Sequence, residues 1–319
     1  MVCARPRPGL RGSGAIPLDE DKERSIISTV CNTMEEALGR KTKGWLSPFL
    51  THTDNTPKIL EEIYQPYDFT KFEDCLKATQ GQDFVIICAA QIFGSQLMKE
   101  HPTAFILPNF QINAGLFEAC SQNKVKKVVF ISSSTVYQEA SYPIQEEQLD
   151  WNLPPYELYQ GVGWLNRYLE QLANFYYKKQ NLQIGILRAA NIYGPHDQFD
   201  EGKSHVLPAL IKRALDKEDP YVVWGNGDVV RDFVYVEDVI DALLLVLQNH
   251  CDSNPLNIGG GSPLSIHQAV ETILKVCEHD VTPEYDSTKP SSIPYRALDI
   301  TKFESTFDRT NKYSFEQGI

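Results

Sequence analysis

The chain has 319 residues, 42% of them hydrophobic and 23% charged, ordinary values for one large globular domain or two closely joined lobes. Its formal net charge of −12 repels nucleic-acid phosphates, and no Lys/Arg run is long enough to offset that, so nucleic acid is excluded as a partner. No window approaches the ~18 consecutive apolar residues of a membrane span, and the Arg-rich first residues lack the apolar stretch of a secretory signal. The seven cysteines show no C-x-x-C spacing, which fits a reducing, cytoplasmic setting and offers no metal site.

In chain order, residues 1–58 read as a divergent N-terminal segment, coil at first, with a helix expected over 25–39. FEDCLKATQ predicts a short helix, and DFVIICAA, residues 83–90, is the continuous apolar run of a strand buried on both faces. PTAFILPNFQINAGLFEACSQN predicts a helix starting after its prolines, and VKKVVFISSSTVY the next strand. A strongly amphipathic helix follows over 164–178, then a buried strand over 182–194. Helices over 205–217 and 237–249 flank a short strand at 231–236. Buried strands alternating with helices predict βαβ units. The fold class is therefore α/β: a doubly wound, parallel, Rossmann-like sheet with a smaller mixed C-terminal lobe. The expected division is a core over 59–194 and an interleaved lobe over 195–319.

The segments DFVIICAAQ, KKVVFISSSTVY, LRAANIYGP, VVWGNGDVVRDFVYVEDV, PLNIGGG and PYRALDITK occur in one fixed order between about residues 67 and 303. In them the chain resembles the extended short-chain dehydrogenase/reductase family, in its NAD-dependent sugar-nucleotide epimerase/dehydratase branch. NIYGPHDQFDEGKSHVLPALI is most similar to the GDP-fucose synthase-like members. The resemblance implies NAD or NADP as cofactor and a nucleoside-diphosphate sugar as partner, with a homodimer as the expected assembly.

On the cofactor side the resemblance assigns Asp68 to the adenine amino group, Ala89 and Ala90 to close backbone approach, and Asn109 to a structural bond to the central strands. Asp68 has a competing reading as a helix N-cap. Ser133, at a strand end where α/β sheets bind ligands, becomes the hydroxyl facing the reacting sugar. Its alternative is a serine that solvates a turn. On the substrate side the resemblance assigns Asn191, Val206, Arg231 and Arg296 to the nucleotide diphosphate. Arginine suits that task, since a guanidinium grips phosphate oxygens in pairs. His205 matches a catalytic histidine.

Two family features are missing. The branch uses a Tyr and a Lys four residues later on one helix face; the lysine lowers the tyrosine pKa for proton transfer. Aligned on Arg167, Glu170 and Arg188, those positions hold Val162 and Asn166. A register with Tyr159 as the tyrosine puts Gly163 in the lysine place; Tyr159 is kept as an improvised catalytic candidate beside Ser133 and His205. Gly9, Gly12 and Gly14 are the nearest approach to the glycine-rich phosphate loop, yet no apolar strand precedes them. Ser134 and Thr135 stand where dehydratases carry Asp and Glu, which argues against dehydration, and Thr135 stands at the epimerising cysteine. Two classes stay open: an NAD(P)-dependent epimerase or reductase of a nucleotide sugar, catalytically impaired, and a non-catalytic binding or regulatory relative.

Overall fold

A computed structural model describes residues 67–91, 101–195, 197, 199, 204–289 and 293–319. The expected helix at 25–39, and Gly9, Gly12 and Gly14, lie outside those residues. Helix α1, Phe72–Thr79, leads into strand β1, Phe84–Ile87. Helix α2, Ile106–Gln122, returns the chain to β2, Lys127–Ser133, and helix α3, Gln160–Gln180, returns it to β3, Gln183–Ala189. Strand β4, Asn191–Tyr193, and helix α4, Val206–Leu215, precede three short strands: β5, Val222–Trp224; β6, Val230–Arg231; and β7, Phe233–Tyr235. Helix α5, Val236–Asn249, is followed by β8, Asp252–Ile258. Then come β9, Leu264–Ser265; helix α6, Ile266–Val276; β10, Glu284–Asp286; β11, Tyr295–Arg296; and helices α7, Thr301–Phe307, and α8, Phe315–Gly318.

The central sheet has the order β1-β2-β3-β8 and every pairing in it is parallel. Parallel strands need crossovers, and helices α2, α3 and α5 supply them. Alternate residues of each strand enter opposite cores. Val85, Val128, Phe130 and Ile184 pack with Leu116, Phe117 and Leu169 on one side; Ile86, Val129, Leu187 and Leu256 pack with Val239, Ala242 and Val246 on the other. Burial on both faces is why these strands read as unbroken apolar runs. A third core, formed by Leu207, Leu210, Tyr221, Val223, Val270 and Ile273, belongs to the C-terminal half. That half also returns β8 to the main sheet.

Two expected boundaries shift. Helix α2 does not wait for its prolines: Pro108 lies in its first turn, where a missing N–H removes no helical hydrogen bond. The strand expected at 231–236 is broken. Asp232 separates β6, which pairs with β11, from β7, which pairs with β4. Helix α5 already begins at Val236. Helix α3 ends at Asn181 in the left-handed conformation (φ 55°), a common helix stop.

Candidate functional site

The carboxyl ends of β2 and β3 face the short strands of the C-terminal half, and two arginines converge there. Arg231 ends β6 and Arg296 ends β11, opposite each other in the parallel pairing of those strands. Arg231 is buried, and its Nη1 donates to the carbonyl of the preceding residue, Val230, at 2.6 Å. Arg296 donates from Nη2 to Asn191 Oδ1 at 3.0 Å, while its buried Nε and Nη1 have no hydrogen-bond partner among the described residues. Asn191 is fixed in turn, donating from Nδ2 to the Asp232 carbonyl at 2.8 Å. Burial, and then the positive charge of Arg296, pull the Arg231 pKa down to about 10. No ion pair from either guanidinium to a carboxylate is found among the described residues.

Aromatic rings wall this pair. The Arg296 guanidinium lies over the Tyr159 ring at 4.5 Å from its centroid, and Tyr156 stands 6.2 Å from Tyr159, ring to ring. Both phenols are close enough to Arg231 to favour its charge. Thr135, Tyr156, Tyr159, Tyr295, Arg296 and Leu298 line one pocket. Thr135, in this lining, has a buried Oγ1 with no hydrogen-bond partner among the described residues. His205 is the N-cap of α4 without a side-chain capping bond. It has an exposed surface, yet the protein encloses it enough that desolvation, and secondly the Arg296 charge, lower its pKa. Val206, the first residue of α4, is exposed.

On the cofactor side, Ala89 is buried and Ala90 half-buried just past β1. Asn109 accepts from Gln91 N at 2.6 Å and donates to Gln91 O at 2.9 Å, so it pins the segment leaving the strand. Asp68 does not cap α1: Lys71 occupies that position, and Asp68 accepts from Thr70 N and Thr70 Oγ1 and pairs with Lys71. Ser133 accepts from Thr135 N at 3.2 Å and caps a single 3-10 turn, Ser134–Val136. The structure thus gathers Asn191, His205, Arg231 and Tyr159 around Arg296, and of these Tyr159 and Arg296 line the pocket. Ala89 and Ala90 lie just past β1, where Asn109 holds Gln91, while the carboxylate of Asp68, ahead of α1, is engaged by Thr70 and Lys71.

Helix α3 bears on the missing chemistry. Val162 and Asn166 are half-buried. Gly163 is buried so tightly that a Cβ there would lie 2.5 Å from both the Thr135 carbonyl oxygen and Pro155 Cβ. The three anchors of the register are all buried: Arg167 donates to Val136 O and Leu153 O, and Glu170 pairs with Arg188 at 2.8 Å. Ser132 donates to Glu170 at 2.6 Å, and Arg188 Nη1 donates to Tyr137 OH at 2.8 Å. This buried chain escaped the sequence reading, as did Tyr295. The position of Tyr295 in PYRALDITK, one residue before Arg296, was the signal that could have found it.

Among the described residues no group of three His, Cys, Asp or Glu can hold a metal, and no helix is long and apolar enough to cross a membrane. The five described cysteines are free. Residues 42–259 match the model of the NAD dependent epimerase/dehydratase family. That match begins upstream of the resemblance noted from residue 67 and downstream of Gly14. The chain is 30% identical over 263 residues to the GDP-L-fucose synthase of Sinorhizobium fredii, covering 80% of this chain and 83% of that one. Among solved structures it is similar to a UDP-glucose 4-epimerase from Thermotoga maritima with UDP-glucose (TM-score 0.75, 23% identity, 92% of each chain). It is also similar to a GDP-L-fucose synthetase from Naegleria fowleri (TM-score 0.73, 21% identity, 96% of this chain and 94% of that one).

Proposed function

This chain belongs to the NAD dependent epimerase/dehydratase family, and on that footing we propose that it binds a nucleoside-diphosphate sugar and turns it over poorly. The observation that carries the reading is the Arg231–Arg296 pair: two enclosed guanidiniums, two N–H groups without acceptors, and no carboxylate bonded to either among the described residues. Enclosing like charges without a counter-ion is costly, and an anion with several oxygens relieves that cost through paired, charge-assisted hydrogen bonds. A sugar diphosphate on the arginines leaves its sugar toward Thr135, Tyr156 and Tyr159, with His205 and Val206 at the rim. Calorimetric titration with GDP-, UDP- and dTDP-sugars tests this; at least one binds, and no binding by any of them refutes the site.

Poor turnover rests on α3. NAD or NADP would supply hydride transfer, and Ala89, Ala90 and Ser133 suit close approach at the sheet edge. The proton-moving pair does not fit that chemistry, because Val162 has no proton to give and Asn166 carries no charge. The second reading, an active epimerase or reductase, draws on Tyr159: it lies in the pocket against a cation. Proton exchange would then fall to Tyr159 and His205. Separate apolar cores support a sheet-bearing core over 59–194 and a substrate lobe over 195–319 that returns one strand to it. Free cysteines support a cytoplasmic setting.

A further inference from the structure

We propose that Asp232, which does not itself line the pocket, is the positioning residue that sets the spacing of the two arginines. Its side chain is fully buried between β6 and β7. Oδ1 accepts from Gly260 N at 2.7 Å and Oδ2 from Leu298 N at 3.2 Å. Its carbonyl accepts from Asn191 N at 3.1 Å and from Asn191 Nδ2 at 2.8 Å. One residue therefore joins four segments. Arg231 precedes it in the chain, Leu298 follows Arg296 by two residues, and Asn191 holds Arg296 directly. The fourth contact is built for close approach: a Cβ on Gly259 would lie 2.1 Å from Asp232 Oδ2, and one on Gly260 would lie 2.0 Å from Phe233 O.

The clamp needs a carboxylate. An ionised Asp232 accepts both N–H groups, whereas a protonated acid or an asparagine amide keeps one good acceptor and turns a donor toward the other N–H. Burial also raises the Asp232 pKa to about 6, so the clamp loosens close to neutrality. Around it, Arg231 is the adjacent residue and Tyr295 on β11 feels its charge. Among the described residues its oxygens take their hydrogen bonds from Gly260 and Leu298 rather than from Arg296, and Gly259, Gly260 and Asn191 bring no titratable group. Its effect on a ligand thus runs through position, not through-space charge.

This inference rests on the diphosphate-sugar reading, and the test separates the two. GDP-mannose and UDP-glucose, whose diphosphates stay ionised across the range, are titrated calorimetrically into wild type and Asp232→Asn between about pH 5 and 7.5. At pH 7.5 the variant binds roughly tenfold more weakly, a gap that closes near pH 5 as the wild-type carboxylate protonates; His205 contributes equally to both proteins and cancels in the ratio. A ratio that stays constant with pH, or a variant that binds more tightly, overturns the positioning role while leaving the anion site intact. Wild type that binds neither sugar nucleotide overturns both. Should the variant not fold, amide exchange in wild type decides: protection at Gly260 or Leu298 falls as pH drops through about 6, and unchanged protection at both overturns the proposal.

Discussion

The guanidinium of Arg296 rests 4.5 Å from the centre of the Tyr159 ring while its Nη2 bonds to Asn191. One side chain is thus held by a face and an edge, and its remaining donors are left for a ligand. Replacing Arg296 or Arg231 by alanine is expected to weaken nucleotide-sugar binding ten- to a hundredfold, since charge-assisted bonds are worth about 1.5–3 kcal/mol each. Titration calorimetry at constant ionic strength checks it; an unchanged Kd in both variants moves the diphosphate elsewhere.

Tyr159 separates the two functional readings. If it only cradles Arg296, Tyr159→Phe keeps the ring and binds like wild type, while Tyr159→Ala loses a few-fold, in line with the ~0.5–1 kcal/mol of a partly exposed cation–π contact. A Tyr159→Phe variant that abolishes measurable turnover without changing affinity would instead identify the phenol as the proton carrier.

Turnover itself is the third test. General acid–base catalysis contributes ~10²–10⁴-fold, so wild type with NADPH and a keto-sugar nucleotide is expected to run at least a hundredfold below a GDP-L-fucose synthase assayed alongside. Comparable rates would return the active-enzyme reading to first place. Cofactor affinity is expected to be weak as well, because Gly9, Gly12 and Gly14 lie upstream of the family match. Low-micromolar binding by NADH or NADPH fluorescence contradicts that.

The Glu170–Arg188 pair predicts a stability effect. Glu170→Ala strands a buried guanidinium and removes the acceptor of Ser132. A loss of about 3–5 kcal/mol is expected by denaturant unfolding, and a loss under 1 kcal/mol would mean that water reaches the site.

Asp232 gives the pH term its sign. Its folded pKa of about 6 stands above the ordinary 3.8. The folded state therefore takes up its proton before the unfolded chain does. The cost of burying the charge is fully present above pH 6 and is relieved as pH falls from 6 toward 4. Relative to Asp232→Asn, wild type is expected to gain roughly 1–3 kcal/mol across that window, at 1.36 kcal/mol per pKa unit; parallel stability curves for the two proteins would contradict it.

The sheet was legible because its strands are buried on both faces, so Val85–Ile87, Val128–Phe130 and Ile184–Leu187 carry an apolar signal that needs no partner to be read. The arginines were legible because each sits inside an ordered motif. Asp232 was not: in the string VVRDFVYV it reads as part of a strand, and its importance comes from Gly260 and Leu298, 28 and 66 residues away. Asp68 shows the opposite failure. A local pattern suggested a cap, and Thr70 and Lys71 drew the carboxylate into a turn instead. Contacts distant in sequence leave no trace in composition or period, and most of what organises this pocket is of that kind.

Gly163 carries a consequence for any attempt to restore catalysis. The register that retains Tyr159 as the acid asks for a lysine at 163, where even a methyl group would collide with the Thr135 carbonyl and with Pro155. The other register requires changing both Val162 and Asn166. At the first register the pair is therefore closed off by backbone packing at Gly163, and at the other it takes two coordinated changes.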